Sequence, residues 1–306
     1  MSKPRKTIIL LASVILALAV VLIVFRKRES EYQGRSLSEW LTDFEGNTPE
    51  VRSSAKFLAA ADAIRHIGTS ALPYLIEQLR YNPDSKTQQA LASGLDRLPQ
   101  SIVPSNLDDW RSGQTGLDNA ERAVIAIQIL GTNALPALPE LVRIAQDPAS
   151  EDRAYRVVRA LDNIGPQGIP ALCQIVSNTN APSPARHTAA LTIGFFGTNS
   201  FEAVPFLIRC LDDPNEDVSV GATHALGQIR SVSPASVPAL IRMLQDPSPR
   251  KRGTAAQSLA HYGPEATPAI PALRQALTNT NLYVQNEARR ALLIIAPEVL
   301  TNAPAK

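Results

Sequence analysis

The residues that could do chemistry in this chain are few and scattered. Four histidines, His66, His187, His224 and His261, could hold a metal or move a proton near neutral pH. A helix that binds a metal through histidines needs two of them four residues apart, on one face. No His-x-x-x-His occurs, and none of the four stands near another histidine or a cysteine in sequence. Packed or solvated imidazoles are therefore expected, and no metal. Cys173 and Cys210 stand three and five residues after a proline in neighbouring segments, so they are expected to face different directions and stay unpaired. Two cysteines are too few for a disulfide framework. No phosphate-binding glycine loop, nucleophile elbow, Cys-x-x-Cys or dinucleotide fingerprint appears. The expectation is no catalysis and no cofactor. A net charge of +2 and 5% aromatic residues give neither the basic stripe nor the stacking platform of a nucleic-acid binder.

One polar pattern survives, and its spacing depends on the elements that carry it. Alanines stand at Ala59, Ala90, Ala123, Ala154, Ala189, Ala222, Ala255 and Ala288, at intervals of 31 to 35 residues. Prolines run beside them at Pro73, Pro104, Pro139, Pro170, Pro205, Pro238 and Pro271. A fixed period in this range marks a solenoid of two-helix units. Residues four and seven after each alanine share its face, are apolar in all but the first two units, and predict an amphipathic helix A. Each proline suits the first turn of a helix B, where its missing N–H has no intrahelical partner. Gly68, Gly131, Gly165, Gly197 and Gly263 lie between A and B and allow a left-handed end to helix A. Asp147-Pro148, Asp213-Pro214 and Asp246-Pro247 stop helix B, and Ser183-Pro184 and Ser248-Pro249 read as N-caps followed by proline.

The units resemble the short HEAT-like repeats of bacteria, of the kind also found in phycobilisome lyases. Val218, Ala222, Ala225, Leu226 and Gly227 match the first half of that repeat. Val237-Pro238-Ala239-Leu240-Ile241, Leu244 and Asp246 match the second, and Val51-Arg52 opens the first unit. The resemblance covers 49 to 296. It implies an all-α fold, a right-handed α-α superhelix of HEAT or armadillo type with about eight two-helix repeats. It also implies that helix B lines the concave face. Four residues after the prolines stand Glu77, Asp108, Arg143, Gln174, Arg209, Arg242 and Gln275, with Arg274 beside the last. The buried offsets on helix B are two, three and six, so offset four points outward. Arg143, Arg209, Arg242 and Arg274 are thus the candidate partner-binding residues, with Glu140 and Asp213 near enough in sequence to quench part of the row.

Residues 7 to 25 carry no charge and are mostly Leu, Ile, Val or Ala. Nineteen residues span about 28 Å as a helix, close to the ~30 Å hydrocarbon core. Lys3, Arg5 and Lys6 precede the run and Arg26, Lys27 and Arg28 end it. The small-x-small triplet Ala17-Leu18-Ala19 lies inside the run, so an uncleaved single transmembrane helix is expected rather than a removed signal. Ser36 and Glu39 make a capping box, with Leu37, Trp40, Leu41 and Phe44 on one face. That helix reads as a cap on the first repeat or, using Trp40, as a membrane-surface helix. Tyr32-x-Gly34 followed by Trp40-Leu41 resembles the joining segment of bacterial membrane-anchored HEAT-repeat proteins. In the second unit Asn106 and Trp110 depart from the pattern and Ser112-Gly113-Gln114-Thr115-Gly116 reads as a polar loop.

The expected layout is a basic tail over 1–6, an anchor over 7–25, a charged linker over 26–35 and a capping helix and loop over 36–48. The solenoid follows over 49–296 and a tail over 297–306. The expected function is a scaffold tethered to the cell membrane, its solenoid extracytoplasmic, binding a protein or peptide partner of acidic character. The alternative is a lyase-like or small-molecule-binding protein, as the phycobilin-lyase resemblance implies.

Overall fold

The computed structural model describes residues 29–44, 46, 48–82, 89, 93, 114–230 and 235–298. The expected basic tail and anchor over 1–25 lie outside these residues. So do Ala90, Pro104, Asn106, Asp108, Trp110 and the tail beyond Glu298. The chain forms two compact units, up to Tyr74 and from Leu75 onward.

The first unit opens with a two-stranded antiparallel hairpin, β1 (Glu31–Tyr32) and β2 (Arg35–Ser36). Gln33 and Gly34 turn it with φ of 50° and 75°, the left-handed pair that a two-residue hairpin loop requires. Helix α1 (Leu37–Leu41) follows, and its capping box is present: Ser36 Oγ accepts from Glu39 N–H, and the Glu39 carboxylate accepts from Ser36 N–H. Leu37, Trp40, Leu41 and Phe44 are all buried. The Trp40 indole N–H donates to the Tyr32 carbonyl, and the Arg35 guanidinium lies 3.9 Å over the Trp40 ring. Trp40 is therefore a core residue of this unit. A short α2 (Pro49–Arg52) leads into α3 (Ala55–Ile67), where Phe57 meets Phe44 at 4.9 Å.

In α3 the alanine ladder is displaced by one residue. Ala59 is exposed, whereas Ala60 and Ile64 are fully buried. Gly68 follows Ala60 by eight residues, as Gly131, Gly197 and Gly263 follow Ala123, Ala189 and Ala255. Helix A is thus registered on its terminal glycine.

Beyond α3 the A helices are α5 (Gln114–Leu130), α7 (Glu151–Ala160), α9 (Ser183–Phe195), α11 (Glu216–Ile229), α13 (Pro249–Tyr262) and α15 (Leu282–Ile295). Six ladder alanines, Ala123 to Ala288, are fully buried within them. The B helices are α4 (Leu72–Leu79), α6 (Leu138–Ala145), α8 (Ile169–Ser177), α10 (Val204–Cys210), α12 (Ser236–Met243) and α14 (Ile270–Ala276). Leu75, Leu141, Leu172, Leu207, Leu240 and Leu273, two residues after their prolines, are all fully buried. Within 49–298 no strand occurs among the described residues. Helix α5 begins at Gln114, so Gln114 to Gly116 are helical and not a loop. Gly116 packs against the Tyr81 ring, which stands where a Cβ would be.

The A-to-B connection is a second departure from a simple turn. A left-handed glycine starts a 3-10 segment that feeds helix B: Gly131–Ala137, Gly197–Ala203 and Gly263–Ala269. In the sixth repeat Arg230 takes the left-handed position with φ 46°, which a side chain adopts at a steric penalty. The stretch Thr115–Ala145 is long and apolar enough to cross a membrane by length and composition, but Ala120, Ala123, Val124, Ala126 and Ile127 place that apolarity in the core.

Successive A helices from α5 to α15 lie side by side, and each B helix from α6 leans on the next A helix. The closest approach falls five residues after one ladder alanine and three after the next. A Cβ on Gly194 would lie 2.8 Å from Ala225 Cα, and one on Gly227 2.8 Å from Ser258 Cα. The same two positions hold Ala260 and Ala291 in the next pair, both buried, whereas in α7 the position five after Ala154 is Arg159.

Polar groups between repeats are accounted for in a recurring way. Eight residues after the proline an Asp or Asn accepts a backbone N–H two residues on: Asp147 from Ala149, Asn178 from Asn180, Asp213 from Asn215, Asp246 from Ser248, Asn279 from Asn281. Ser150, Asn215, Ser248 and Asn281 then cap the next A helix. Ser183 does not cap: α9 starts at Ser183 itself, without a side-chain cap bond. Three residues before the ladder alanine, Arg186 donates to the Val176 carbonyl and Arg252 to those of Asp246 and Pro247. Arg186 also pairs with Asp213, just past the B helix of its own repeat, both groups almost wholly buried.

Two consequences are measurable by urea unfolding. Gly227→Val drives a side chain into Ser258 and should cost ~1–3 kcal/mol; unchanged stability would remove Gly227 from the closest contact. Arg186→Met leaves Asp213 buried without its cation and should cost roughly 3–5 kcal/mol. A loss within experimental error would show the pair to be incidental.

Candidate partner-binding face

Offset four on helix B does point outward. Glu77, Arg143, Gln174, Arg209, Arg242 and Gln275 are all exposed, as is Arg274 beside the last. Each B helix presents this face because its Leu at offset two is buried on the opposite side. Neighbouring faces touch: Gln146 donates its amide to the Gln174 carbonyl, and the Gln245 and Gln275 amides meet at 3.4 Å.

The four candidate arginines do not behave alike. Arg143 donates to Glu140 at 2.6 and 3.0 Å, and Arg80 reaches the same carboxylate at 2.7 Å while also holding Glu77. Hydrogen bonds from Arg143, then from Arg80, hold the Glu140 carboxyl down to about 2. Arg242 grips Asp212 with both terminal nitrogens, at 2.7 and 3.0 Å, and its hydrogen bonds lower the Asp212 carboxyl. Asp213, expected to quench the row, turns inward to Arg186 instead, and its neighbour Asp212 takes that place. Arg209 lies 4.7 Å over the Phe206 ring. Among the described residues neither Arg209 nor Arg274 makes an ion pair. The structure therefore does not bring the four together as one basic row. It leaves two quenched and two uncompensated.

Between α8 and α10 lies a cavity of about 330 Å³, lined by Ile169, Pro170, Cys173, Gln174, Glu202 and Phe206. Cys173 is buried in its wall, with the Cys210 thiol in electrostatic reach and both unpaired. Burial first, then Cys210, pushes the Cys173 thiol up to about 11, so it keeps its proton at neutral pH. A second cavity, about 310 Å³ between α12 and α14, is lined by Gln245, Asp246, Arg252, Gln275 and Asn279 among others.

Sequence distance concealed one cluster. His187, His224 and His261 recur every 37 residues on α9, α11 and α13, which are adjacent. The His187 ring occupies the space left by Gly221, and its Nδ1 meets the Asp217 carbonyl at 2.7 Å. His261 Nδ1 is buried without a hydrogen-bond partner. The signal that could have found the row is its 37-residue interval, four more than the repeat, which advances one helical turn per unit. Among the described residues no three His, Cys, Asp or Glu side chains stand together so as to hold a metal ion. His66, the fourth, stacks on Tyr32 at 4.7 Å in the first unit.

Three overlapping stretches, 138–227, 169–249 and 204–293, match the family model for HEAT repeats and together cover just over half of the chain. Among solved structures the chain is similar to human deoxyhypusine hydroxylase in complex with glycerol, at 18% identity over 85% of this chain and 95% of that one, with a TM-score of 0.37. It is similar to a designed armadillo repeat protein in complex with the peptide (KR)4, at 19% identity over 85% and 100%, TM-score 0.34. It is also similar to the CpcE–CpcF complex of phycocyanin lyase from Nostoc sp. PCC7120, at 14% identity over 92% and 94%, TM-score 0.35. No curated protein matches the sequence.

The histidine row ties stability to pH. Burial, then the charges of His261 and His187, lower the His224 imidazole below its ordinary value. The unfolded chain then binds this proton more readily than the folded one, so the stability from neutral His224 is complete above about pH 6.5 and is lost as pH falls below it. The thermal midpoint should fall on acidification from neutral pH, and His224→Gln should flatten that slope. Equal slopes in the two proteins would release His224 from this role.

Proposed function

The chain belongs to the HEAT-repeat family, and we propose that it is a membrane-tethered scaffold that captures an acidic protein or peptide segment on its helix-B face, with no catalysis of its own. The observation that carries this reading is the charge left over on that face. Arg143 and Arg242 already satisfy Glu140 and Asp212, so a partner gains little from them. Arg209 and Arg274 are exposed and make no ion pair among the described residues, so an incoming carboxylate gains a partner without displacing one. The tether is the uncharged run over 7–25 with its basic flanks, and the solenoid stands on the extracytoplasmic side.

A second reading, a small-molecule binder of lyase-like kind, has the cavity beside Cys173 in its favour. The raised Cys173 thiol argues against covalent capture there.

The full chain, extracted in detergent and purified with its bound material, separates these readings. A stoichiometric protein partner is expected. Its capture should weaken as ionic strength rises from about 0.1 to about 1 M, where the screening length drops from ~10 to ~3 Å. It should be lost in the Arg209→Glu, Arg274→Glu double variant, with helical signal and melting temperature nearly unchanged. Retained capture in that variant moves the site off this face. A coloured or small-molecule ligand in place of a protein favours the second reading, and release of the chain from membranes by an alkaline wash removes the tether.

A further inference from the structure

We propose that the cavity between α8 and α10 is an anchor pocket for one large apolar side chain of an extended peptide, which carries a basic residue on one side of that anchor and an acidic residue on the other. The inference rests on helix B being the partner-binding face.

The walls set the anchor. Ile169, Pro170, Cys173 and Phe206 give the cavity an apolar interior, and Gln174 puts a side-chain amide at its rim. About 330 Å³ lies at the bottom of the range for ligand pockets, roughly 300–1,000 Å³, which suits a single side chain better than an extended ligand. Phe201, beside Glu202 in the turn before α10, is 57% exposed and adds apolar surface there.

The flanking charges set the rest of the peptide. Glu202 precedes α10 and Arg209 stands in its last turn, with Phe206 between them. Seven residues of helix separate the two charges by about 10 Å along the axis. An extended peptide covers that distance in about three residues. Both side chains are exposed, and neither makes an ion pair among the described residues. The furrow therefore offers an anion at one end, an apolar socket in the middle and a cation at the other end. The complementary segment has Lys or Arg and Asp or Glu about three positions apart, with Phe, Leu or another large apolar residue between. The cavity between α12 and α14 offers no such pattern, because its Arg252 already donates to the carbonyls of Asp246 and Pro247 and to Asn279.

A random dodecapeptide display library, selected on the full chain in detergent micelles, tests the proposal. Enriched peptides should share the three-part pattern. They should bind at least about tenfold more weakly, the factor that 1.4 kcal/mol carries, to Cys173→Trp, which fills the socket. Gln174→Trp at the rim serves the same purpose if Cys173→Trp loses its helical signal. The Glu202→Arg, Arg209→Glu double swap should enrich the reverse charge order, whichever order the wild type selects. Peptides lacking the apolar residue, indifferent to both tryptophan variants, or unchanged in order by the swap overturn the anchor pocket. If such peptides still lose binding to Arg274→Glu, the helix-B face stands without this pocket. Peptides indifferent to every helix-B substitution, or no enrichment at all, overturn both.

Discussion

Everything in the stack depends on how closely one A helix can approach the next. A side chain at Gly194 or Gly227 would meet the neighbouring backbone at 2.8 Å, a distance that no rotamer change relieves. Ala260 and Ala291 keep the same two positions small in the next pair of repeats. Once the A helices are this close, the long side chains have to go to the other side. Leu141, Leu172, Leu207, Leu240 and Leu273 bring them in from helix B, which is short and leans on the next A helix. The outward face of helix B is then the surface that packing leaves unclaimed, and binding chemistry can vary there without disturbing the core.

Close stacking also removes water from the ends of the helices, and the chain compensates by local polar chemistry. The Asx turn eight residues after each of the last five ladder prolines satisfies a backbone N–H at the point where helix B has stopped. Arg186 and Arg252 reach back to the carbonyls left at the end of the preceding repeat and forward to the end of their own B helix, at Asp213 and Asn279. A buried ion pair such as Arg186–Asp213 gains little over an apolar pair, but losing one member strands the other. Together with the bond to the Val176 carbonyl, it ties the ends of two successive B helices to one guanidinium. The same reasoning applies to Ser258 and Tyr262, whose hydroxyls donate to the Thr223 and Leu226 carbonyls across the A-helix contact.

The repeat was legible because it is written in residues with backbone consequences. Glycines with φ near +55° and prolines in the first turn of helix B announce themselves in sequence, as does the Ser36 to Glu39 capping box. The register of the first repeat was misread by one residue because several alanines adjoin in α3, and only Gly68 marks which of them faces inward. The hairpin at Gln33-Gly34 was missed because two-residue strands carry no hydrophobic alternation. Ser183 was misread as a cap because Ser-Pro fits both the cap position and the first helical turn. The candidate site was half legible. Periodicity placed Arg143, Arg209, Arg242 and Arg274 on the outward face, and sequence proximity found the partner Glu140 but not Asp212, because which of Asp212 and Asp213 turns outward is not written in the sequence. The histidine row was hidden for a related reason: residues far apart in sequence become neighbours only through stacking.

The pairing pattern changes what kind of recognition this face supports. A continuous row of arginines would attract any acidic chain over a screening length of ~8 Å and would discriminate poorly. Glu140 and Asp212 turn Arg143 and Arg242 into short-range pairs whose fields largely cancel outside the face. What remains is Arg209, held over Phe206 at the edge of an apolar cavity, with Glu202 in the turn before the same helix. Opposite charges about 10 Å apart around a socket disfavour a segment of one sign throughout, so an acidic partner has to place a basic residue against Glu202. Specificity on such a surface comes from the order of residues in the partner rather than from its net charge. That is consistent with a chain whose own net charge is only +2.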